Sequence, residues 1–188
     1  MVPGWAAYQS GDYATAVKQF QAAAVRGDRV AQYDLAMMYW RGEGVGVDKS
    51  AALAWLEKSA ANRLSSAEFA LGQVYESGDG VVKDLVKATL WFEKAAAQGH
   101  RDAQVSAGTQ YYLGRGAVQD YRKAAHWYLL AAKQGDVGAQ YLVGSMYEHG
   151  DGLPKDWKLA VKWYAAAAAQ GDVGGGVKAR SLQAEHAR

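Results

Sequence analysis

The chain contains no cysteine, only two prolines, and no apolar run near the roughly 20 residues that a membrane span needs. Without a thiol it forms no disulfide, thiolate zinc site, iron–sulfur ligation or cysteine nucleophile. Neither sign of charge is in excess: 21 basic against 19 acidic side chains leave +2, too weak a field to mark nucleic acid or an anionic membrane as the main partner. Met1 leads into Val2-Pro3-Gly4 with no basic and then apolar leader, so no secretory signal is expected here. What is abundant is alanine, about a fifth of the chain, in runs such as Ala95-Ala96-Ala97 and Ala165 through Ala169. Alanine is the best helix former and is depleted in strands. With the 22 glycines falling mostly between these runs, the chain reads as all-helical.

A step of 36 residues relates Trp55, Trp91, Trp127 and Trp163. The same step relates Tyr39, Tyr75, Tyr111 and Tyr147, the aspartates Asp48, Asp84, Asp120 and Asp156, and the alanines Ala31, Ala67, Ala103 and Ala139. Glycine pairs at 42/44, 78/80, 114/116 and 150/152 keep it too, with no insertion or deletion across four copies. Each copy divides into two helical patterns. In the first, Ala31, Leu35, Met38 and Tyr39 share one face and Gly42 is a left-handed stop. In the second, Asp48 is an N-cap, and Ala52, Trp55, Leu56, Ser59 and Ala60 mark one face. Gly99, Gly135 and Gly171 end this helix in later copies, and Asn62 is expected to take the left-handed cap in the first. Val45, Val81, Ala117 and Leu153 are apolar plugs in the connectors.

One 36-residue pair cannot bury both sides of its apolar faces, whereas stacked pairs can, which makes a solenoid. In it Trp91 is expected to act as a wedge between units. The ends differ from the middle. Trp5-Ala6-Ala7-Tyr8 reads as a shortened first helix and Asp12 through Gly27 as a second helix. Gly174-Gly175-Gly176 reads as a flexible break before a capping helix from Val177 to His186.

The run from Ala67 to Val81, with Gly72, Tyr75, Gly78 and Gly80, resembles the first half of a Sel1-like repeat. Asp84 to Gly99, with Lys87-Ala88, Trp91 and Ala95-Ala96-Ala97-Gln98-Gly99, resembles its second half. The N-terminal Ala7-Tyr8, Gly11-Asp12-Tyr13 and Ala16 are more similar to a tetratricopeptide-type (TPR-like) half-unit. Ala36 departs from the glycine found at 72, 108 and 144, and Gln110 is polar where Met38, Val74 and Met146 are not. The resemblance implies an all-α, right-handed α/α superhelical solenoid of Sel1-like helix pairs. The expected layout is one solenoid domain over 1–188: a half-unit cap at 1–29, repeats at 30–65, 66–101, 102–137 and 138–173, and a capping helix and tail at 174–188. It also implies a protein-binding scaffold, with a bacterial periplasmic or secreted setting favoured and a cytoplasmic one as the alternative.

Positions that repeat serve packing, while positions that vary along a helix face are free for recognition. Opposite the core of the first helices lie Tyr33, Met37, Trp40 and Arg41, then Phe69, Gln73, Glu76 and Ser77. Val105, Thr109, Tyr112 and Leu113 follow, then Tyr141, Ser145, Glu148 and His149. The resemblance places these helices on the concave wall. The expected partner-binding residues are therefore Tyr33, Met37, Trp40, Arg41, Phe69, Gln73, Glu76, Tyr112, Tyr141, Glu148 and His149. Tyr33, Phe69 and Tyr141 are divided between core and contact roles. Trp40, Tyr112, Glu76 and Glu148 change type from unit to unit and are favoured as contacts. Glu43, Asp79, Arg115 and Asp151 form a largely acidic rim, which reads either as a solvated loop edge or as a preference for basic ligand segments.

The catalytic patterns are missing. Gly42-Glu43-Gly44-Val45-Gly46 lacks the strand and spacing of a nucleotide loop. His100, His126, His149 and His186 have no histidine partner at i+3 or i+4, and there is neither a Gly-x-Ser-x-Gly elbow nor a Ser-x-x-Lys pair. The reading is a monomeric, non-enzymatic scaffold that needs no cofactor or metal and holds a protein or peptide in a groove. It does not bind nucleic acid or insert in a membrane. The rivals are a hydrolase using groove carboxylates such as Glu76 or Glu148, and a chain that assembles with itself.

Overall fold

The computed structural model describes residues 4–187; the outermost residues of the expected cap and tail, 1–3 and 188, lie outside them. Among the described residues there are eleven helices and no strand. The helices group into two compact units that divide between Gln98 and Gly99. The first unit holds α1 (Trp5–Gln9), α2 (Tyr13–Val25), α3 (Arg29–Arg41), α4 (Lys49–Ala61), α5 (Ser65–Ser77) and α6 (Leu85–Ala97). The second holds α7 (Arg101–Leu113), α8 (Tyr121–Lys133), α9 (Val137–His149), α10 (Trp157–Ala169) and α11 (Val173–His186). Within each unit every helix packs on the next in sequence, the arrangement of an α/α repeat solenoid.

The local signals act as their chemistry dictates. The carboxylates of Asp48, Asp84, Asp120 and Asp156 each accept from backbone N–H groups in the first turn of α4, α6, α8 and α10. Gly42 closes α3 at φ 74° with its N–H on the Met38 carbonyl, and Gly78, Gly114 and Gly150 repeat this. The connector then folds back: the N–H of Asp48, Asp84, Asp120 and Asp156 donates to the carbonyl of Tyr39, Tyr75, Tyr111 and Tyr147 at 2.9–3.0 Å. This seats Val45, Val81, Ala117 and Leu153 against the apolar clusters, as expected of plugs.

Three expectations need correction. The left-handed residue after α4 is Arg63 (φ 59°), not Asn62 (φ −84°). Arg63 stands 36 before Gly99, so it holds the register position of the glycine stops, and Asn62 has another duty described below. Gly174-Gly175-Gly176 is no break but the first turn of α11, capped by the Asp172 carboxylate on the Gly175 N–H. A Cβ on Gly175 would lie 2.6 Å from the Tyr164 carbonyl oxygen, so close helix approach explains the glycine. Gly175 is 36 beyond Ala139, and α11 thus stands in the register of a further first helix.

The third correction concerns the wedge. Trp55, Trp91, Trp127 and Trp163 are only half-buried. Lys58 and Lys94 lay their ammonium groups over the Trp55 and Trp91 rings, 4.1 and 3.8 Å from the centroids. The fully buried series is the next residue along: Leu56, Phe92, Tyr128 and Tyr164. These side chains enter the space left by a small residue on the preceding first helix. A Cβ on Gly72 would collide with the Phe92 ring, one on Gly108 would lie 2.8 Å from Tyr128, and one on Gly144 2.8 Å from Tyr164. Ala36 is tolerated because it shares its hairpin with Leu56 instead of an aromatic ring. The departure at Ala36 is therefore one half of a matched exchange.

A polar ladder joins successive pairs within each unit. Gln32, Glu68, Gln104 and Gln140 are buried one residue after the repeated alanine. The amide of Asn62 donates to Gln32 at 3.0 Å, Gln98 to Glu68, Gln134 to Gln104 at 2.8 Å and Gln170 to Gln140 at 2.9 Å. Gln32 and Gln140 also donate to the Ala24 and Ala132 carbonyls, bridging to the previous second helix. Glu68 breaks the series. Burial raises its pKa, against the Gln98 hydrogen bond and the charges of Lys94 and Arg63.

Three outcomes follow from this packing. Gly72→Ala lowers the melting temperature although alanine is about 1 kcal/mol the better helix former, and Phe92→Leu in the same chain restores most of the loss. Additive losses in that double-mutant cycle contradict the interlock. Phe92→Ala destabilises by roughly 3–5 kcal/mol, Trp91→Ala by only about 1–2; equal losses in denaturant melts return the wedge to Trp91. Because the folded-state pKa of Glu68 is raised, the folded protein holds the proton more tightly and loses stability as pH climbs from about 4 through that pKa. Glu68→Gln removes this slope, so it melts above the parent at about pH 8 and the gap narrows toward about pH 4. A gap that does not change with pH contradicts the linkage.

Candidate partner-binding face

In the first unit the varying face of α3 carries Tyr33, Met37 and Trp40, all half-buried, and exposed Arg41. The first three pack at the margin of the cluster formed by Ala36, Leu56, Ala67, Leu71 and Val74. On α5, Phe69 is half-buried with its ring 5.7 Å from that of Phe92, Gln73 is exposed and Glu76 is half-buried. Between α3 and α5 lies a hollow of ≈ 190 Å³ lined by Met37, Trp40, Ala70, Gln73, Ser77 and Asp79. Its rim is tied by the Lys49–Asp79 ion pair, with the Lys49 ammonium 5.8 Å from the Trp40 centroid. The structure thus gathers three of the expected residues, Met37, Trp40 and Gln73, around one concavity.

In the second unit several expected contacts serve the frame as well. Tyr112 lies 5.2 Å from Tyr121 and 6.4 Å from Tyr128, ring to ring. The Tyr141 ring lies 5.1 Å from that of Tyr164, tilted by 59°. Glu148 accepts the Tyr164 hydroxyl at 2.6 Å and the Lys178 ammonium at 2.9 and 3.2 Å. Burial works to raise the Glu148 pKa, but these hydrogen bonds outweigh it and hold the carboxylate below its ordinary value. Burial and the same bond push the Tyr164 phenol up. A carboxylate held ionised by two donors is the reverse of what a general acid needs. His149 is exposed, its Nδ1 2.9 Å from the Ser145 carbonyl oxygen.

The acidic rim is partly engaged in the same way. Glu43 accepts the Tyr8 hydroxyl at 3.0 Å and lies 3.9 Å from Arg41, while Asp79 pairs with Lys49. Among the described residues no three His, Asp or Glu side chains gather where they could hold a metal ion, and no helix is long and apolar enough to cross a membrane. The sequence reading missed the ladder residues and Asp34. Both signals were in the repeat register: a polar residue recurring at a buried position, and a carboxylate at a position held elsewhere by Ala70, Ser106 and Leu142.

The Sel1 repeat profile matches residues 29–63, 65–100, 101–136 and 137–172. The chain belongs to the Sel1 repeat family. These repeats are protein–protein interaction scaffolds, generally without catalytic activity. The chain is similar to a Sel1 repeat protein from Oxalobacter formigenes, with 32% identity and a TM-score of 0.88 over 94% of this chain and 72% of that one. It is similar also to c5321, a protective antigen of uropathogenic Escherichia coli, with 32% identity and a TM-score of 0.87 over 92% of this chain. It spans only 37% of the length of c5321. Cysteine-rich protein B of Helicobacter pylori shares the fold at 22% identity, with a TM-score of 0.55 over 67% of this chain. No match is found among curated proteins.

Proposed function

We propose that this Sel1 repeat chain holds a peptide or protein surface on the varying face of its first helices. The observation that carries the reading is the α3–α5 hollow: an apolar floor of Met37, Trp40 and Ala70 beside the polar groups of Gln73, Ser77 and Asp79. Apolar anchors with a polar edge suit a protein contact, where a few desolvated aromatic groups supply most of the binding energy. By the 36-residue register Tyr112 and Glu148 of the second unit stand where Trp40 and Glu76 stand in the first, Tyr141 where Tyr33 and Phe69 stand, and His149 where Arg41 and Ser77 stand. Much of this surface is held by intramolecular ring contacts and hydrogen bonds, so docking immobilises few new side chains.

A photo-reactive amino acid in place of Gln73, exposed at the hollow, tests the site. In extract of the source cells it cross-links a partner that the same group in place of Glu57, exposed on α4, does not. Equal yield from both positions places recognition elsewhere.

A further inference from the structure

At the start of the first unit, α1, α2 and α3 enclose a cavity of ≈ 180 Å³. Its walls are Trp5, Tyr8, Phe20, Tyr33 and Met37, and Asp34 lies among them. One oxygen of Asp34, Oδ2, is buried without a hydrogen-bond partner from the protein. The Trp5 side chain lowers the pKa of this carboxyl. The repeat register makes this residue odd. The same position is Ala70, Ser106 and Leu142 in the next three units, and Lys178 in α11. The first helix can therefore be built with no carboxylate here, and the packing supplies Oδ2 with no donor.

We infer that this cavity seats a primary alkylammonium group, such as the side chain of a lysine on the docked partner. The inference rests on the reading of this face as a docking surface and names the chemistry one part of it selects. Four features converge. The walls are aromatic, and a cation beside Trp and Tyr rings is attracted by their π faces. The apolar stem of a lysine matches the rings and Met37, as its ammonium matches the carboxylate. A carboxylate with one buried oxygen that has no donor, Oδ2, suits the single-point charge of an ammonium and not the two-pronged fork of a guanidinium. The charges near the entrance are compensated: Arg41 lies 3.9 Å from Glu43, and both reach the Tyr8 hydroxyl, at 3.4 and 3.0 Å. The cation therefore meets no unbalanced positive field. Oδ2 is turned away from solvent, and rotation about the soft terminal torsion of the aspartate brings it to the ligand.

The protonation of Asp34 fits this picture. Burial, then the charge of Asp28, raise its pKa to about 6, against the lowering effect of Trp5. At neutral pH the carboxyl is thus largely ionised yet incompletely solvated, and a bound ammonium relieves that.

The probes are n-butylammonium chloride and, as a neutral match, 1-pentanol. The readout is the indole N–H resonance of Trp5, assigned by its loss in Trp5→Phe. Butylammonium shifts this resonance saturably; pentanol binds at least about tenfold more weakly, and Asp34→Asn weakens butylammonium by a similar factor. Asp34→Asn also melts no lower than the parent at about pH 8, as expected of a carboxylate kept for a ligand and not for the fold. The assignment is overturned by the absence of a saturable shift, by equal binding of pentanol, by undiminished binding to Asp34→Asn, or by a marked loss of stability in that variant. Because the probes are small molecules, these results stand apart from the cross-linking at Gln73, so either reading can fail alone.

Discussion

The frame depends on one steric match: a bulky side chain on each second helix entering the gap left by a missing or minimal side chain on the first helix of its hairpin. Phe92 against Gly72, Tyr128 against Gly108, Tyr164 against Gly144 and Leu56 against Ala36 are four versions of it. Protein interiors are close-packed, so the total volume at such a contact is nearly conserved even where the individual residues change. That constraint fixes how near the two helices approach. It thereby fixes where the connector returns, which hydrogen bond it makes and which apolar residue it inserts. The half-buried tryptophan beside each bulky residue is a consequence of that approach. It covers the seam and supports a lysine over its outer face in α4 and α6.

The buried ladder adds direction to this packing. An amide can accept on one side and donate on the other at once, and Gln140 does both, accepting from Gln170 and donating to the Ala132 carbonyl. Each such residue measures the offset between one helix pair and the next, because a slip of one turn would leave buried polar atoms without partners. Glu68 shows what the position tolerates. It keeps the acceptor half of the ladder through Gln98 and loses the donor half, with its pKa rising under burial.

Much of the frame is legible in the sequence because caps, stops and plugs are local signals and repeat at a fixed step. Asp48, Gly42 and Val45 each act through atoms a few residues away. What was not legible depends on distance in the chain. Whether Trp91 or Phe92 is the deeper residue turns on the rotation of α6 against α5, and both satisfy the same helical face. Glycines at 174–176 read as a break because glycine disfavours helix; the close Tyr164 carbonyl overrides that preference. Arg63 was hidden by a register error of one residue, with Asn62 the more familiar left-handed residue beside it. The varying face was legible as a set of positions, but not the division of labour within it. Nothing local to Glu148 announces that Tyr164 and Lys178 hold it.

That division bears on how such a surface evolves recognition. A residue on the varying face whose ring also packs against a ring of its own hairpin, as those of Phe69, Tyr112 and Tyr141 do, has an orientation fixed by the fold itself. On the proposed docking reading such a residue loses little entropy on binding and contributes shape. Gln73 and His149, exposed at the ends of that set, are free to change with little effect on the hairpin. Asp34 is a third kind: its departure from the alanine, serine and leucine of its register leaves a buried oxygen, Oδ2, with no donor within the fold. Repeat proteins make this distinction measurable, because three sister units show what the position needs when packing is its only duty.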